Sequence, residues 1–181
     1  MRSKRTFLLL VLLFFAPLLA SFAMYYGWHW RPAGQTNHGT LIQPPRALPL
    51  AGPAALLGGK WSLVYLGAGN CDDSCRYALY FMRQTHLGLG HLIPRVQRVF
   101  LATARCCDRA FLEQEHPGLI TLDSQGPDSA ALLAQFPSDG RASTLFIVDP
   151  RGNLMMRYDS HADPRGLHED LEKLLSLSHI G

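Results

Sequence analysis

WSLVYLGAGNCDDSCRYAL, residues 61–79, is the stretch that decides the fold. Its first seven residues, Trp61–Gly67, are a short β-rich run ending in a Gly-containing turn that carries Cys71. From Asp72 or Asp73 the pattern becomes helical, and Cys75, Leu79, Met82 and His86 share one face at i, i+4, i+7 and i+11. The acidic pair is a plausible N-cap and suits the helix dipole. Two cysteines four positions apart therefore stand where a strand hands over to a helix. Unpaired amides and partial positive charge at a helix start stabilise a thiolate, which makes a nucleophile, a resolving thiol or a soft-metal ligand. Asp72 and Asp73 oppose this, because neighbouring carboxylates disfavour another negative charge.

The rest of the chain alternates in the same way. VQRVFLAT (96–103) reads as a second strand, Phe111 to His116 as a short helix, GLITLDS as a third strand and Ser129 to Phe136 as helical. TLFIVDPRGNLMMRYD reads as a hairpin around Asp149-Pro150-Arg151-Gly152. The segment from Arg165 is an amphipathic helix with Leu167, Leu171, Leu174 and Leu175 inward. The order βαβ–α–β–α–ββ–α is that of an α/β domain, a small central sheet with helices on both faces.

Ahead of it, no residue from Thr6 to Trp28 is charged. As a helix that stretch rises about 34 Å, enough to cross a bilayer core. Arg2, Lys4 and Arg5 precede it, which keeps the N-terminus cytoplasmic. Ser21-Phe22-Ala23 would serve a cleaved signal peptide, but the apolar run is longer than such cores. Both readings export the remainder of the chain. The expected organisation is a cytoplasmic N-terminus (1–5), a transmembrane anchor (6–28), a Pro/Gly-rich tether (29–59) and a folded periplasmic domain (60–181). The net charge of +3 comes from the anchor and its flanks, since no acidic residue precedes Asp72. No basic face is left for nucleic acid.

An exported domain of this size does not need staples, and a disulfide closing so small a loop constrains the unfolded chain little. Cys71 and Cys75 thus point to chemistry, redox or metal, over inert bridging. Cys106 and Cys107 come after the second strand, where the fold brings a loop to the same edge. They read as a second redox couple, as further soft-metal ligands, or as cysteines with no shared task. Arg105 and Arg109 flank them and favour thiolate.

An anchor, a Pro-rich tether, strand–C-x-x-x-C–helix and a late TLFIVDPRGNL hairpin together resemble the Sco/SenC family over about residues 1 to 175. That resemblance implies a thioredoxin-like domain with a central mixed β-sheet, held in the bacterial inner membrane. It also implies a role in assembling the copper centre of cytochrome c oxidase, with an oxidase subunit or its copper chaperones as partners. C-x-x-x-C carries over to Cys71 and Cys75, as attacking and resolving thiols or as copper ligands. Family members place Pro after the first cysteine, where this chain has Asp72. They supply a third copper ligand, a histidine, eight residues before the hairpin turn, and counting back eight from Asp149 gives Arg141. A guanidinium offers no lone pair to a metal, although it would lower a thiol pKa or dock a carboxylate if it sat over the pair. His161, Met155 and Met156 are the remaining candidate ligands, whereas His86, about three turns along its helix from Cys75, stands too far away to share a metal. These residues leave three functions open: a thiol–disulfide protein, a Cu(I) metallochaperone, or a non-catalytic assembly scaffold.

Overall fold

The structure, a computed structural model, describes residues 2–27, 36–104, 107–123 and 127–181. It divides into two units, 1–36 and 37–181. In the first, α1 (Arg2–Phe22) continues into a π-helical turn, Ala23–Gly27. The stretch Lys4–Gly27 is long and apolar enough to cross a membrane, and none of it is buried.

The second unit holds a six-stranded sheet ordered β1-β6-β5-β2-β3-β4. The strands are β1 (Thr40–Ala47), β2 (Trp61–Gly67), β3 (Val96–Ala102), β4 (Ile120–Asp123), β5 (Thr144–Val148) and β6 (Asn153–Asp159). β2, β3 and β4 run parallel, whereas β5 and β6 form the hairpin and pair antiparallel onto β2 and β1. The helices are α2 (Asp73–Gly88), α3 (Arg109–Glu115), α4 (Pro127–Gln135) and α5 (Pro164–Leu177).

Period-two alternation sorts the side chains of the central strands into two cores. Trp61, Leu63 and Tyr65 of β2, Phe100 of β3 and Leu145 and Ile147 of β5 pack with α2, α3 and α5. Val64, Leu66, Val99, Leu101, Phe146 and Val148 face the other way, against Leu132 of α4 and Leu57. Strands covered on both faces read as continuous apolar runs, and Leu63–Leu66 of β2, Val99–Ala102 of β3 and Leu145–Val148 of β5 do. The mixed sheet flanked by helices is the expected thioredoxin-like architecture.

The boundary of the domain differs from the expectation. Residues 37–59 belong to the folded unit, where the sequence suggested tether as far as residue 59. Thr40–Ala47 is an edge strand paired with β6, interrupted by an irregularity between Leu41 and Arg46 that contains Pro44 and Pro45. Only one side of an edge strand needs its amides, so prolines at a bulge are tolerated there. Gly52–Leu57 forms a 3-10 turn, and Leu48, Ala54 and Leu57 are buried in the second core. Residues 29–35 of the expected tether lie outside the described residues.

One carboxylate ties this N-terminal segment down. Asp170 on α5, 4 % exposed, accepts the amide of His38 at 2.9 Å and that of Gly39 at 2.8 Å. Removing it leaves inward-facing amides unpaired, a cost of about 2 kcal/mol. Asp170→Ala is therefore expected to lower the urea midpoint of the full-length chain by that amount with an unchanged slope. An unchanged midpoint would mean the segment contributes nothing to stability.

Candidate functional site

Strand β2 ends at Gly67 and the chain turns through Ala68–Asn70, where the Cys71 amide donates to the Ala68 carbonyl at 3.1 Å. Cys71 has φ +38°, in the left-handed region that non-glycine residues rarely occupy. Holding it there costs about 1–2 kcal/mol. Strain of this kind survives where surrounding structure over-determines the backbone, and it concentrates at functional sites. Asp72 is the N-cap of α2, and its carboxylate accepts from the Cys75 amide at 3.0 Å.

Cys71 and Cys75 are joined in a disulfide with Cα atoms 5.0 Å apart. Each is 2 % exposed, so the bond forms part of the first core. The loop it closes is short and contributes only about 2 kcal/mol through chain entropy. Arg76, one turn into α2, donates Nε to the Cys71 carbonyl at 3.3 Å and lays its guanidinium over the Phe111 ring at 4.4 Å. Beneath, Tyr65 donates its hydroxyl to the Ala142 carbonyl at 3.0 Å, and burial, with the Asp72 charge adding, pushes its pKa up to about 12. The sequence reading missed Tyr65 and Arg76. Tyr65 reads as one more inward residue of a strand, and Arg76 as a solvated helix residue.

The loops after β2 and β3 lie against each other at one edge of the sheet. The Thr103 amide donates to the Gly67 carbonyl at 2.9 Å, and the Asp108 amide to the Gly69 carbonyl at 3.1 Å. Cys107 is half-buried, packs on the core cluster that contains Cys71 and Cys75, and is itself disulfide-bonded. Cys106 and Arg105 lie outside the described residues.

Arg141 begins the turn Arg141–Ser143, which packs on α2 and β2. Its side chain is engaged elsewhere than at the disulfide. Nε donates to the Pro137 carbonyl at 2.7 Å, and Nη2 reaches the carbonyls of Phe136 at 2.6 Å and Leu133 at 3.1 Å. These carbonyls lie at and just past the C-terminus of α4, where a cation also suits the dipole. His161 stacks on Tyr77 of α2 with centroids 5.0 Å apart. His86 is held through Nε2 by the Val96 carbonyl at 2.9 Å, and Met156 is buried beneath Gly39.

Copper is the group the Sco resemblance implies. Two thiolates released by reduction are soft ligands that suit Cu(I). Among the described residues, however, no three His, Cys, Asp or Glu stand together as a metal site. The residue at the position of the third ligand is an arginine hydrogen-bonded to helix carbonyls. The residues present do not make up the three-ligand set.

Two histidines give this face a pH dependence. Burial first, and then the Arg98 charge, hold His86 below its usual value, against the pull of the Val96 carbonyl. Burial, Arg98 and Arg83 do the same to His116. A histidine whose folded-state pKa is depressed is more readily protonated in the unfolded chain, so stability rises with pH across that interval. Stability is expected to be full above about pH 6.5 and to fall as pH drops below it, until the folded-state values are passed. Denaturant midpoints between pH 7.5 and 5 check this, and His116→Gln should flatten part of the slope.

Several solved structures share the fold of this chain. Yeast Sco1 with copper bound matches with a TM-score of 0.59 at 16 % identity, over 80 % of this chain and 96 % of its own. Arabidopsis thaliana ScoI with copper bound gives 0.56 at 18 %, over 68 % and 89 %. Bradyrhizobium japonicum ScoI with copper bound gives 0.53 at 18 %, over 66 % and 87 %. A comparison with curated protein sequences finds no match. A family model, described as "Transmembrane-like, thioredoxin-like, C-terminal domain", matches residues 61–178, from the first strand of the C-x-x-x-C unit to the end of the last helix. The chain belongs to that family of transmembrane-like, thioredoxin-like C-terminal domains.

Proposed function

We propose that this chain is a membrane-anchored thiol–disulfide protein that helps assemble the copper centre of cytochrome c oxidase. Its helix α1 sits in a bacterial inner membrane, with the N-terminus cytoplasmic and the folded domain periplasmic. The observation that carries the reading is the Cys71–Cys75 disulfide at the start of α2, presented by a strained backbone. In the reduced chain the Cys71 thiolate attacks a disulfide of an oxidase subunit, and one sulfur of that subunit leaves as thiolate. The Cys75 thiolate then attacks Cys71 in the mixed disulfide and releases the second. The subunit gains two electrons and its thiols become free to bind copper. This chain is left with the Cys71–Cys75 bond, as in the structure. Arg76 holds the Cys71 carbonyl and Asp72 holds the Cys75 amide. Cys106 and Cys107 form a second couple in this scheme, supplying electrons to the first from a loop that abuts it.

The likeness to copper-bound Sco structures favours a second reading, in which reduced Cys71 and Cys75 carry Cu(I) themselves. One experiment separates the two. The reduced full-length chain in detergent micelles is titrated with Cu(I) against a competing chelator, and in parallel offered the oxidised copper-site subunit of an oxidase. Redox function predicts stoichiometric reduction of the subunit, abolished by Cys71→Ser, and no competitive copper binding. Tight one-to-one binding of Cu(I) with no electron transfer would replace the redox reading by the chaperone one.

A further inference from the structure

The Cys71–Cys75 disulfide is closed off from solvent. Each residue is 2 % exposed, and both belong to the first core. Thiol–disulfide exchange needs a thiolate to approach one sulfur directly and displace the other. Neither sulfur offers that approach in the structure, so exchange has to begin with a local opening. What covers the pair therefore decides which thiols react with it.

Two side chains outside the pair join the segments around it. Arg76, exposed and one turn into α2, donates Nε to the Cys71 carbonyl at 3.3 Å and lays its guanidinium over the Phe111 ring at 4.4 Å. Phe111, half-buried on α3, packs on the core cluster that contains both cysteines. Asp108 fixes the start of α3 to the loop before Cys71. Its amide donates to the Gly69 carbonyl at 3.1 Å, and its carboxylate accepts from the Phe111 amide at 3.2 Å. The Arg76 bond also helps hold Cys71 at its left-handed φ of +38°, a conformation that relaxes once its surroundings release it. Arg76 thus ties the loop that carries Cys71 to α3.

We propose that Arg76 and Phe111 form a latch that shuts small thiols out of the Cys71–Cys75 disulfide, which makes them specificity-determining residues for its exchange. The latch opens when the guanidinium leaves the ring and the Cys71 carbonyl. A donor thiolate then attacks the Cys71 sulfur, forming a mixed disulfide, and the Cys75 sulfur leaves as thiolate. A second donor thiolate attacks the donor sulfur of that mixed disulfide and releases Cys71. Two donor thiols become one donor disulfide, one protein disulfide becomes two thiols, and two protons pass from the former to the latter. Oxidation of the pair by a disulfide runs through the same steps in reverse, so the latch gates both directions. A protein dithiol that displaces Arg76 as it docks is admitted, whereas a free small thiol waits for spontaneous opening. That role with a protein partner rests on the redox reading given above; the latch itself does not.

The test uses the oxidised full-length chain in detergent micelles, with dithiothreitol and the uncharged tris(hydroxypropyl)phosphine as reductants of unrelated chemistry. Reduction of Cys71–Cys75 is tracked by alkylation and peptide mass spectrometry. Arg76→Ala loses a cation–π contact and a hydrogen bond, so both reductants should act about tenfold faster. Phe111→Ala should accelerate them at least as much, whereas Phe111→Tyr, which keeps a ring under the guanidinium, should change the rate less than about twofold. In low urea the rates should rise with a slope well below that of global unfolding, because a local opening exposes little surface. Equal rates in the native chain and both alanine variants would overturn the latch. Acceleration that follows the urea slope of global unfolding would overturn it too, since the two side chains would then act through overall stability. An oxidase subunit reduced by a chain whose alanine variants are no faster toward dithiothreitol would sink the latch and keep the redox reading. Faster variants with no subunit reduced would keep the latch and sink the redox reading.

Discussion

A Cys75→Ser chain is expected to accumulate as a mixed disulfide with its target through Cys71, whereas a Cys71→Ser chain should form none. In the native chain the Cys75 sulfur is held where it can close on Cys71, with Cα atoms 5.0 Å apart and its own amide fixed by the Asp72 carboxylate. An oriented intramolecular group acts at an effective molarity of about 10⁵ M or more. Loss of Cys75 should therefore lengthen the lifetime of the mixed disulfide by at least about a thousandfold in the absence of added thiol. Non-reducing electrophoresis of the full-length chain mixed with an oxidised oxidase subunit reads this directly. Equal trapping through Cys75 in the Cys71→Ser chain would reverse the two roles. Trapping by neither variant would remove the pair from thiol exchange.

Arg141→Ala should unfold the domain more easily and leave the cysteines as they were. The guanidinium accepts nothing and donates to three carbonyls, those of Leu133, Phe136 and Pro137, at the end of α4. Losing a charged donor to such groups costs about 2 kcal/mol, and a domain of this size then melts about 6 °C lower. Because those bonds run to α4, the reduction potential of Cys71–Cys75 is expected to move by less than about 30 mV, the equivalent of a tenfold change in the exchange equilibrium. A larger shift with unchanged melting would make Arg141 a tuner of the thiols. Arg141→His, which restores the residue type of the Sco third ligand, should lose the same stability. If copper binding were only a matter of that one side chain, the variant would gain tight Cu(I) binding, and the reduced chain titrated against a chelator decides it.

Much of this was legible in the residues themselves. LVYL (63–66) and LFIV (145–148) are continuous apolar runs because their strands are covered on both faces. The change from period two to period 3.6 across Gly67–Asp73 places a loop and a helix start at Cys71 and Cys75. The Asp72 cap is set by residue type and position alone. Leu167, Leu171 and Leu175 mark the buried stripe of α5, as their spacing predicts. All of these are local signals, set by steric periodicity and by backbone groups that must find a partner within a few residues.

What tertiary structure decided lies at long range. Thr40–Ala47 is a strand only because β6 offers it a ladder, and Asp170 fixes the preceding turn from 131 residues away in sequence. Composition there, with Pro44 and Pro45, reads as linker. A guanidinium at position 141 fits both a site over the thiols and a cap on α4, and only the path of the chain through Phe136–Gly140 chooses the cap. A cleft beside Cys107 joins α3 to an edge strand, and Arg98, buried on β3, would look in sequence like any polar residue of a β-run. The sequence by itself determined the long apolar N-terminal helix, the two-faced sheet and the cysteine pair at the helix start, because their causes lie within a turn or a pleat. Where the domain begins, which way Arg141 donates and what surrounds Cys107 depended on contacts between distant segments, and those exist only once the sheet has assembled.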